Sequence, residues 1–441
     1  MSVPLDRLYN YLDSLCNHDL LIYRFSPHGS KNLSDLLELN AYDPMDWRQC
    51  MSTPGVIIHD QEPLYCNEAT ANAVVTEICN REGLNYVESW FRQQLLRFGV
   101  RALTMFRHGI YDKTLLIHSE KNSRDLDQFC NSGFIGVYWW AHAAIACDWY
   151  RFAKHDISLA INFDCITKDF LIYNRAWAGT REYRVKFTEM IVDHNLQDFC
   201  NMKFNPMDDQ CHYRDFQPVN AAFKANRYDI ENYFEPCYAD SYSSADYNSE
   251  DYSSIAIEVV LETLFDDQRW QLTEKSLRPM ACGRPFILAA TAGSLQYIRS
   301  YGFRTFAPYI DENYDTIQDP LLRLVAITTE MKRISQLSTV DKRNLWSNIY
   351  GVAKYNQDLF FSDQWQSGIF NEFVTNINQG LIIMEQHKTG KHWNNLCKRM
   401  TGINLMTYPP NSGPAPMLLN ILQHKDEIDA LLQQAGPDKS I

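Results

Sequence analysis

Short apolar runs alternating with helical patterns restrict the fold of this chain more than any single motif does. Leu20-Leu21-Ile22-Tyr23, Val56-Ile57-Ile58, Thr114-Leu115-Leu116-Ile117 and Phe134-Ile135-Gly136-Val137-Tyr138 read as strands. Between them, residues 69–81, 88–98 and 124–130 repeat apolar side chains every three or four positions. Strands separated by helices pair in parallel, because only a crossover of that length carries the chain back to the same end of a sheet. The pattern restarts after Asp164: Phe170-Leu171-Ile172-Tyr173 reads as a strand and residues 181–194 as a helix with Val185, Met190 and Val192 near one side. Residues 227–253, rich in Tyr, Ser, Asp and Asn, lack the apolar side chains to order themselves and are expected to be a loop or flexible insertion. Order returns at residues 255–265, then a helix, a strand at 285–290, a helix at 295–301, a further strand near 303–306 and helical patterns from 320 to 387. A final helix is expected at 417–434, after Asn411-Ser412-Gly413-Pro414.

A chain of 441 residues exceeds one hydrophobic core. The expected division is an α/β domain at 1–164, a second at 165–390 and a helical extension at 391–441. The formal charge of −13 repels polyanions, so contact with nucleic acid would need a local basic groove. The 12 cysteines include no C-x-x-C pair, and the histidines form neither H-x-H nor H-E-x-x-H, which removes the usual zinc spacings. Reduced thiols in a cytoplasm are the expectation. No window reaches the roughly 18 apolar residues of a membrane span, and residues 1–11 lack the apolar core of a secretion signal.

The densest chemistry lies at Leu272-Thr273-Glu274-Lys275-Ser276, followed by Gly283-Arg284-Pro285 and an apolar strand. A carboxylate and an ammonium sit at a helix start, where unpaired N–H groups favour anions. Lys275 suits a pyrophosphate and Glu274 can accept both hydroxyls of a ribose; a solvated ion pair on a crossover helix is the alternative. Three other clusters follow expected strands, where open α/β sheets bind ligands. His59-Asp60-Gln61-Glu62-Pro63 supplies general-base candidates, or a satisfied loop. His118-Ser119-Glu120-Lys121-Asn122-Ser123 precedes a helix that Asn122 or Ser123 can cap. Asn174-Arg175 precedes Thr180-Arg181-Glu182-Tyr183-Arg184, where Thr180 reads as an N-cap and Arg181 and Arg184, one turn apart, can flank a phosphate. Trp139 and Trp140, beside His142, read as core. Asp125-Leu126-Asp127 falls on a helix and reads as a solvated face, so no metal site is expected.

Thr273-Glu274-Lys275 followed by Gly283-Arg284-Pro285 and a strand resembles the donor-site signature of fucosyltransferase-like glycosyltransferases of the two-domain GT-B architecture. The ordered set of His59-Asp60-Gln61-Glu62-Pro63, Asn174-Arg175, Glu262-Thr263-Leu264-Phe265, Thr273-Glu274-Lys275 and Gly302-Phe303-Arg304-Thr305-Phe306 is similar to glycosyltransferase-like proteins of tailed bacteriophages. It spans about residues 55–320; the first domain departs from the fucosyltransferase pattern throughout. The resemblance implies a GT-B enzyme with two Rossmann-like domains, a cleft between them and C-terminal helices, working in the host cytoplasm if phage-encoded. It places the donor, a UDP-sugar by expectation, on Glu274, Lys275, Thr273, Glu262, Arg175, Arg181 and Arg184. Asp60 is the expected base, with Glu62 and His59 beside it. No cofactor beyond the nucleotide-sugar co-substrate is expected, since Arg and Lys can stabilise the leaving diphosphate.

The phage resemblance points to 5-hydroxymethylcytosine in duplex DNA as acceptor, contacted by Arg97, Arg101 and Arg107, with Arg92 and interleaved Trp90, Phe91, Phe98 and Phe106. An amphipathic helix packed by its aromatics accounts for the same residues. A cell-surface or other glycan is the alternative acceptor, and a non-catalytic nucleotide or nucleic-acid binding protein is the alternative class.

Overall fold

The structure, a computed structural model, describes residues 20–24, 56–60, 114–131, 135–208, 210–227, 229–238 and 247–387. Contacts divide them into two compact units: Trp140–Asn371 forms one, and the described residues before Trp140 with those from Glu372 onward form the other. Both are α/β with parallel sheets.

In the unit that holds the described residues before Trp140, β1 (Leu20–Arg24), β2 (Val56–Asp60), β3 (Thr114–His118) and β4 (Ile135–Tyr138) pair in sequence order, all parallel. Helix α1 (Arg124–Asn131) connects β3 to β4. Leu115, Leu116 and Ile117 are fully buried, as a strand covered on both faces requires. β2 runs two residues further than its apolar run, so His59 and Asp60 end the strand rather than follow it; His59 pairs with Leu116 and Asp60 with Ile117. The last turns of the helix Asp363–His387 belong to this unit: Asn376 donates to the Tyr138 carbonyl at 2.6 Å, and Phe373 meets Trp139 edge-on at 4.5 Å.

The unit Trp140–Asn371 opens with α2 (Ala141–Trp149) and holds a second parallel sheet in the order β10-β9-β5-β6, made of β5 (Lys168–Asn174), β6 (Cys200–Phe204), β9 (Ile255–Leu261) and β10 (Phe286–Ala289). β7 (Met207–Asp208) and β8 (Cys211–His212) form a separate small hairpin. From β5 the chain crosses by α3 (Tyr183–Asp193) to β6 on one side; from β9 it crosses by α5 (Glu274–Ala281) to β10 on the other. The strand order therefore reverses between β5 and β9, and an open α/β sheet leaves a crevice beyond the carboxyl ends of its strands at such a point. All seven residues of β9 are buried, which fits its central place.

Local chemistry sets the ends of α5. Thr273 caps the start, its side chain accepting from the Lys275 N–H. At the other end Gly283 takes φ +63°, the Arg284 N–H reaches the Pro279 carbonyl at 2.8 Å and the Gly283 N–H reaches Met280 at 3.2 Å. This closing pattern needs a left-handed residue, and Pro285 then prevents continuation. Beyond β10, α6 (Ser294–Ser300), α7 (Pro320–Ser335), α8 (Thr339–Phe360) and α9 (Asp363–His387) complete the described chain; Asp319 and Ser338 cap α7 and α8 by accepting from Leu322 and Asp341. Among the described residues no helix is long and apolar enough to cross a membrane.

Two expectations fail and a third is met in part. Residues 303–306 form no strand: Phe303 and Phe306 are buried, but Arg304 N–H goes to Asn356 Oδ1 and Phe306 N–H to Glu312 Oε1, so no ladder forms. In the stretch 227–253 the centre, 239–246, lies outside the described residues; on either side of it Ile230, Phe234 and Tyr252 are buried and α4 (Ser249–Ser253) precedes β9, so these flanks are anchored rather than flexible. Carboxylates hold the segment ahead of it to α3: Glu182 accepts from the Val219 and Asn220 N–H groups, Glu189 from those of Asn226 and Arg227. Finally, Thr180 is no helix cap; it lies in a 3-10 turn, Gly179–Arg181, and α3 starts at Tyr183 after Glu182, which makes no side-chain cap bond.

Two glycines of α9 test the packing. A Cβ on Gly380 would stand 2.5 Å from Leu115 Cδ1 and 3.1 Å from Val137 Cγ1, whereas one on Gly368 meets nothing within 4 Å. Gly380→Val is expected to destabilise by about 1–3 kcal/mol. Gly368→Ala is expected to stabilise by roughly 0.5–1 kcal/mol through helix propensity and a less flexible unfolded chain. Chemical denaturation of both variants measures this; shifts of the same sign would contradict the close approach of α9 to β3 and β4.

Candidate functional site

Two loops meet where the strand order reverses, one leaving β5 and one leaving β9. The first is pinned from below. Asp208 Oδ2 accepts from the Trp177 and Ala178 N–H groups, each at 2.6 Å, and buried Trp177 donates its indole N–H to the Asn205 carbonyl at 2.8 Å. Arg184 then ties the loops together: Nη1 donates to the Ala176 carbonyl at 2.6 Å, Nη2 to the carbonyls of Leu261 at 2.7 Å and Glu262 at 3.1 Å. Tyr183 adds its hydroxyl to the Glu262 and Ala289 carbonyls, and burial, which pushes its phenol up to about 12, keeps it a donor. Arg184 is thus a buried clamp on backbone carbonyls, not the phosphate ligand expected from its spacing.

Arg181 is differently placed. Half-buried on the 3-10 turn, it makes one hydrogen bond among the described residues, from Nε to the Ala178 carbonyl at 3.4 Å. Burial first, and then the neighbouring Arg184 charge, pull its guanidinium down to about 10, still protonated at neutral pH; Asp208 and Glu274 act on it in the opposite sense. Arg175 is turned to another neighbour, its guanidinium 4.2 Å from the centre of the Tyr173 ring. Arg278 lies 4.4 Å from the same ring and pairs with Glu258 at 2.5 Å.

The second loop is built on Glu262, which is 0% exposed. Its Oε1 accepts from Thr273 N–H at 2.9 Å, Ser276 N–H at 3.2 Å and Ser276 Oγ at 2.5 Å. Its Oε2 accepts from Thr273 Oγ1 at 2.8 Å and Thr263 N–H at 3.1 Å. The helix start that was expected to receive a pyrophosphate is already occupied by an anion of the chain's own. Glu262 and Thr273 are therefore committed to holding the turn, and the same bonds set the positions of Glu274 and Lys275, the next two residues along the chain.

Glu274, 4% exposed, has Oε1 2.8 Å from Lys275 Nζ and Oε2 3.2 Å from His142 Nδ1. Burial alone would raise its carboxyl, but Lys275 and then His142 outweigh that and hold it well below the usual carboxylate range. His142 comes from α2, which packs along α5; Trp140 anchors that approach with its indole N–H on the Leu272 carbonyl at 2.6 Å. The reversal point thus has Glu274 and Lys275 on the segment that follows β9 and Arg181 on the turn that follows β5. It adds His142, which sequence reasoning treated only as a neighbour of core tryptophans. No periodicity links residue 142 to residue 274; the packing of two helices does.

In the other unit, fully buried His118 has Nε2 3.1 Å from Glu120 Oε2 and 3.2 Å from Ser123 Oγ. Ser123 also accepts from the Leu126 N–H at 3.2 Å, so it caps α1. Glu62, Arg92, Arg97, Arg101 and Arg107 lie outside the described residues, and for His59 and Asp60 only the backbone is described. Among the described residues no group of three or more His, Cys, Asp or Glu side chains could hold a metal ion.

Comparison of the chain with protein-family models, with curated proteins and with solved structures finds no match.

Removing Glu262 leaves five donors facing each other in the core. Glu262→Ala is expected to cost about 3–5 kcal/mol, the range for breaking a buried charge from its partners. Urea denaturation against an exposed control such as Glu235→Ala measures it, and a cost near that of the control would show that the turn does not depend on this carboxylate.

Proposed function

We propose that the chain is a nucleotide-sugar-dependent glycosyltransferase of the two-domain GT-B type, in which the unit Trp140–Asn371 holds the donor. The observation that carries this reading is the Glu274–Lys275 pair after β9, with Arg181 on the turn after β5, on the two segments that leave the sheet where its strand order reverses. Sugar transfer leaves a diphosphate that gains negative charge as the glycosidic bond breaks, and preorganised cations lower that barrier. Lys275 and Arg181 supply them, and Glu274 offers carboxylate oxygens of the kind that take the vicinal hydroxyls of a ribose. Since Glu262 fills the start of α5, the cationic side chains rather than the helix end would carry the diphosphate. On the acceptor side Asp60, with Glu62 and His59 beside it, is the proposed proton acceptor. The acceptor is proposed to be 5-hydroxymethylcytosine in DNA, on the sequence resemblance and the Arg97, Arg101 and Arg107 series.

The test incubates the full chain with UDP- and GDP-sugars and three acceptors: hydroxymethylated DNA, unmodified DNA and a glycan mixture. Nucleoside diphosphate release and mass spectrometry of the nucleosides are read, with and without EDTA. Sugar on hydroxymethylcytosine, retained in EDTA, is the expected result. Transfer to glycan alone would remove the DNA acceptor and keep the enzyme class; no release from any donor would remove the class itself.

Arg181→Ala and Lys275→Ala are each expected to weaken nucleoside diphosphate binding by about 1.5–3 kcal/mol, the range for a charged hydrogen bond. Calorimetry on the folded variants reads this, and unchanged affinity in both would place the donor elsewhere. Asp60→Asn should leave donor affinity intact while lowering kcat by roughly 10²-fold or more. Steady-state kinetics of that variant decide the role, since undiminished turnover would take it away from Asp60.

A further inference from the structure

Trp270 stands on the loop from β9 to α5, shortly before Glu274, and is fixed on two sides. Its indole N–H donates to the Ala292 carbonyl at 2.9 Å, and its ring lies nearly parallel to that of Tyr297, with 21° between the planes and 5.8 Å between the centres. Gly293, at φ +87°, comes so close that a Cβ there would stand 3.1 Å from Trp270 Cζ2 and 3.3 Å from Nε1. One face is thus set against Tyr297, and the edge that carries Nε1 against Ala292 and Gly293. The indole nonetheless stays half-buried, whereas Tyr297 and Trp140, the next rings in the cluster, are buried. Trp140 ties this cluster to the start of α5, since its own N–H is on the Leu272 carbonyl. A rigid aromatic ring held partly open suits a flat partner, because the cost of ordering it is met before the partner arrives.

We infer that Trp270 is the platform for the nucleobase of the donor, the base stacking on the indole face turned away from Tyr297. This rests on the glycosyltransferase reading, in which Glu274 takes the ribose. In a nucleoside diphosphate the base and the diphosphate leave the ribose at opposite ends, so a site with cations for the diphosphate needs a separate, uncharged surface for the base. One loop supplies both: Glu274 and Lys275 where it enters α5 and, ahead of them, an indole whose one hydrogen-bonding group is spent on Ala292. Stacking asks only for a π-face, which every base has. Trp270 therefore takes uracil and guanine alike and leaves the choice between them to groups that read the edge of the base.

Two apolar substitutions separate a stacking role from a packing one. Trp270→Phe and Trp270→Leu both give up the bond to Ala292, and only Trp270→Phe keeps a π-face. Affinity of the full chain for UDP and GDP, neither of which carries a sugar, is measured by calorimetry for wild type and both variants, with circular dichroism confirming the fold. Trp270→Leu is expected to weaken both nucleotides by about fivefold to 150-fold, the range for losing one base–aromatic stack, and Trp270→Phe to recover at least about threefold of that. A loss under about fivefold in Trp270→Leu, or affinity in Trp270→Phe within about threefold of Trp270→Leu, overturns the inference. So does a change confined to the KM of UDP-sugars, which would make the ring a platform for the sugar. Should Trp270→Leu not fold, Trp270→Phe still decides: quenching of indole fluorescence by UDP in wild type is expected to be largely lost in it, and equal quenching in both overturns the inference. Failure of wild type to bind either nucleotide would remove the donor reading and this inference with it, whereas wild-type binding that Trp270→Leu leaves intact removes this inference alone.

Discussion

A carboxylate taken wholly out of water anchors the chemistry of this protein. Burying an ionised Glu is costly unless every lone pair finds a donor, and Glu262 meets that demand with three backbone N–H groups and two hydroxyls. Those donors come from Thr263, Thr273 and Ser276, so satisfying one charge fixes the bend after β9 and the first turn of α5 together. Glu274 and Lys275 sit in that turn and inherit its rigidity. The same bonds close the helix end to an outside anion, which shifts the burden of any phosphate recognition to side chains.

The arginines around the sheet show how burial decides what an identical group does. Arg184 and Arg323 are both buried, and both direct their guanidiniums to backbone carbonyls at strand and loop ends: Arg184 to Ala176, Leu261 and Glu262, Arg323 to Ile317, Gln318 and Phe265. Arg278 is neutralised by Glu258. Arg181, three residues before Arg184, keeps a half-buried position on a turn held by Asp208 and makes one hydrogen bond among the described residues, to the Ala178 carbonyl. Spacing along the chain treats Arg181 and Arg184 as a pair, and the fold separates them into a ligand candidate and a structural clamp.

Strand and helix positions were legible wherever the apolar pattern had a clear period, because a parallel strand covered on both faces must be continuously apolar and a crossover helix must bury one side. Val259, Ile287 and Leu171 are examples. The reading failed where backbone partners, not side-chain hydrophobicity, decide the structure. Phe303 and Phe306 look like a strand and are buried like one, yet side chains of Asn356 and Glu312 take their neighbourhood's N–H groups. The flanks of the Tyr- and Ser-rich stretch after residue 227 look unanchored, yet Ile230, Phe234 and Tyr252 are buried and the Glu189 carboxylate of α3 binds the backbone leading into them.

The sequence by itself determined an α/β chain with parallel sheets, the limits of α5 through Thr273 and Gly283, and the presence of Glu274 and Lys275 at its start. Each comes from local rules: period, cap and left-handed turn. Tertiary structure alone decided that β5 and β9 are neighbours across a reversal of strand order, that Glu262 fills the helix end, that Arg184 is unavailable and that His142 reaches Glu274. Those facts depend on contacts between residues from 14 to more than a hundred positions apart, and no local periodicity encodes which distant group will desolvate or neutralise a given charge.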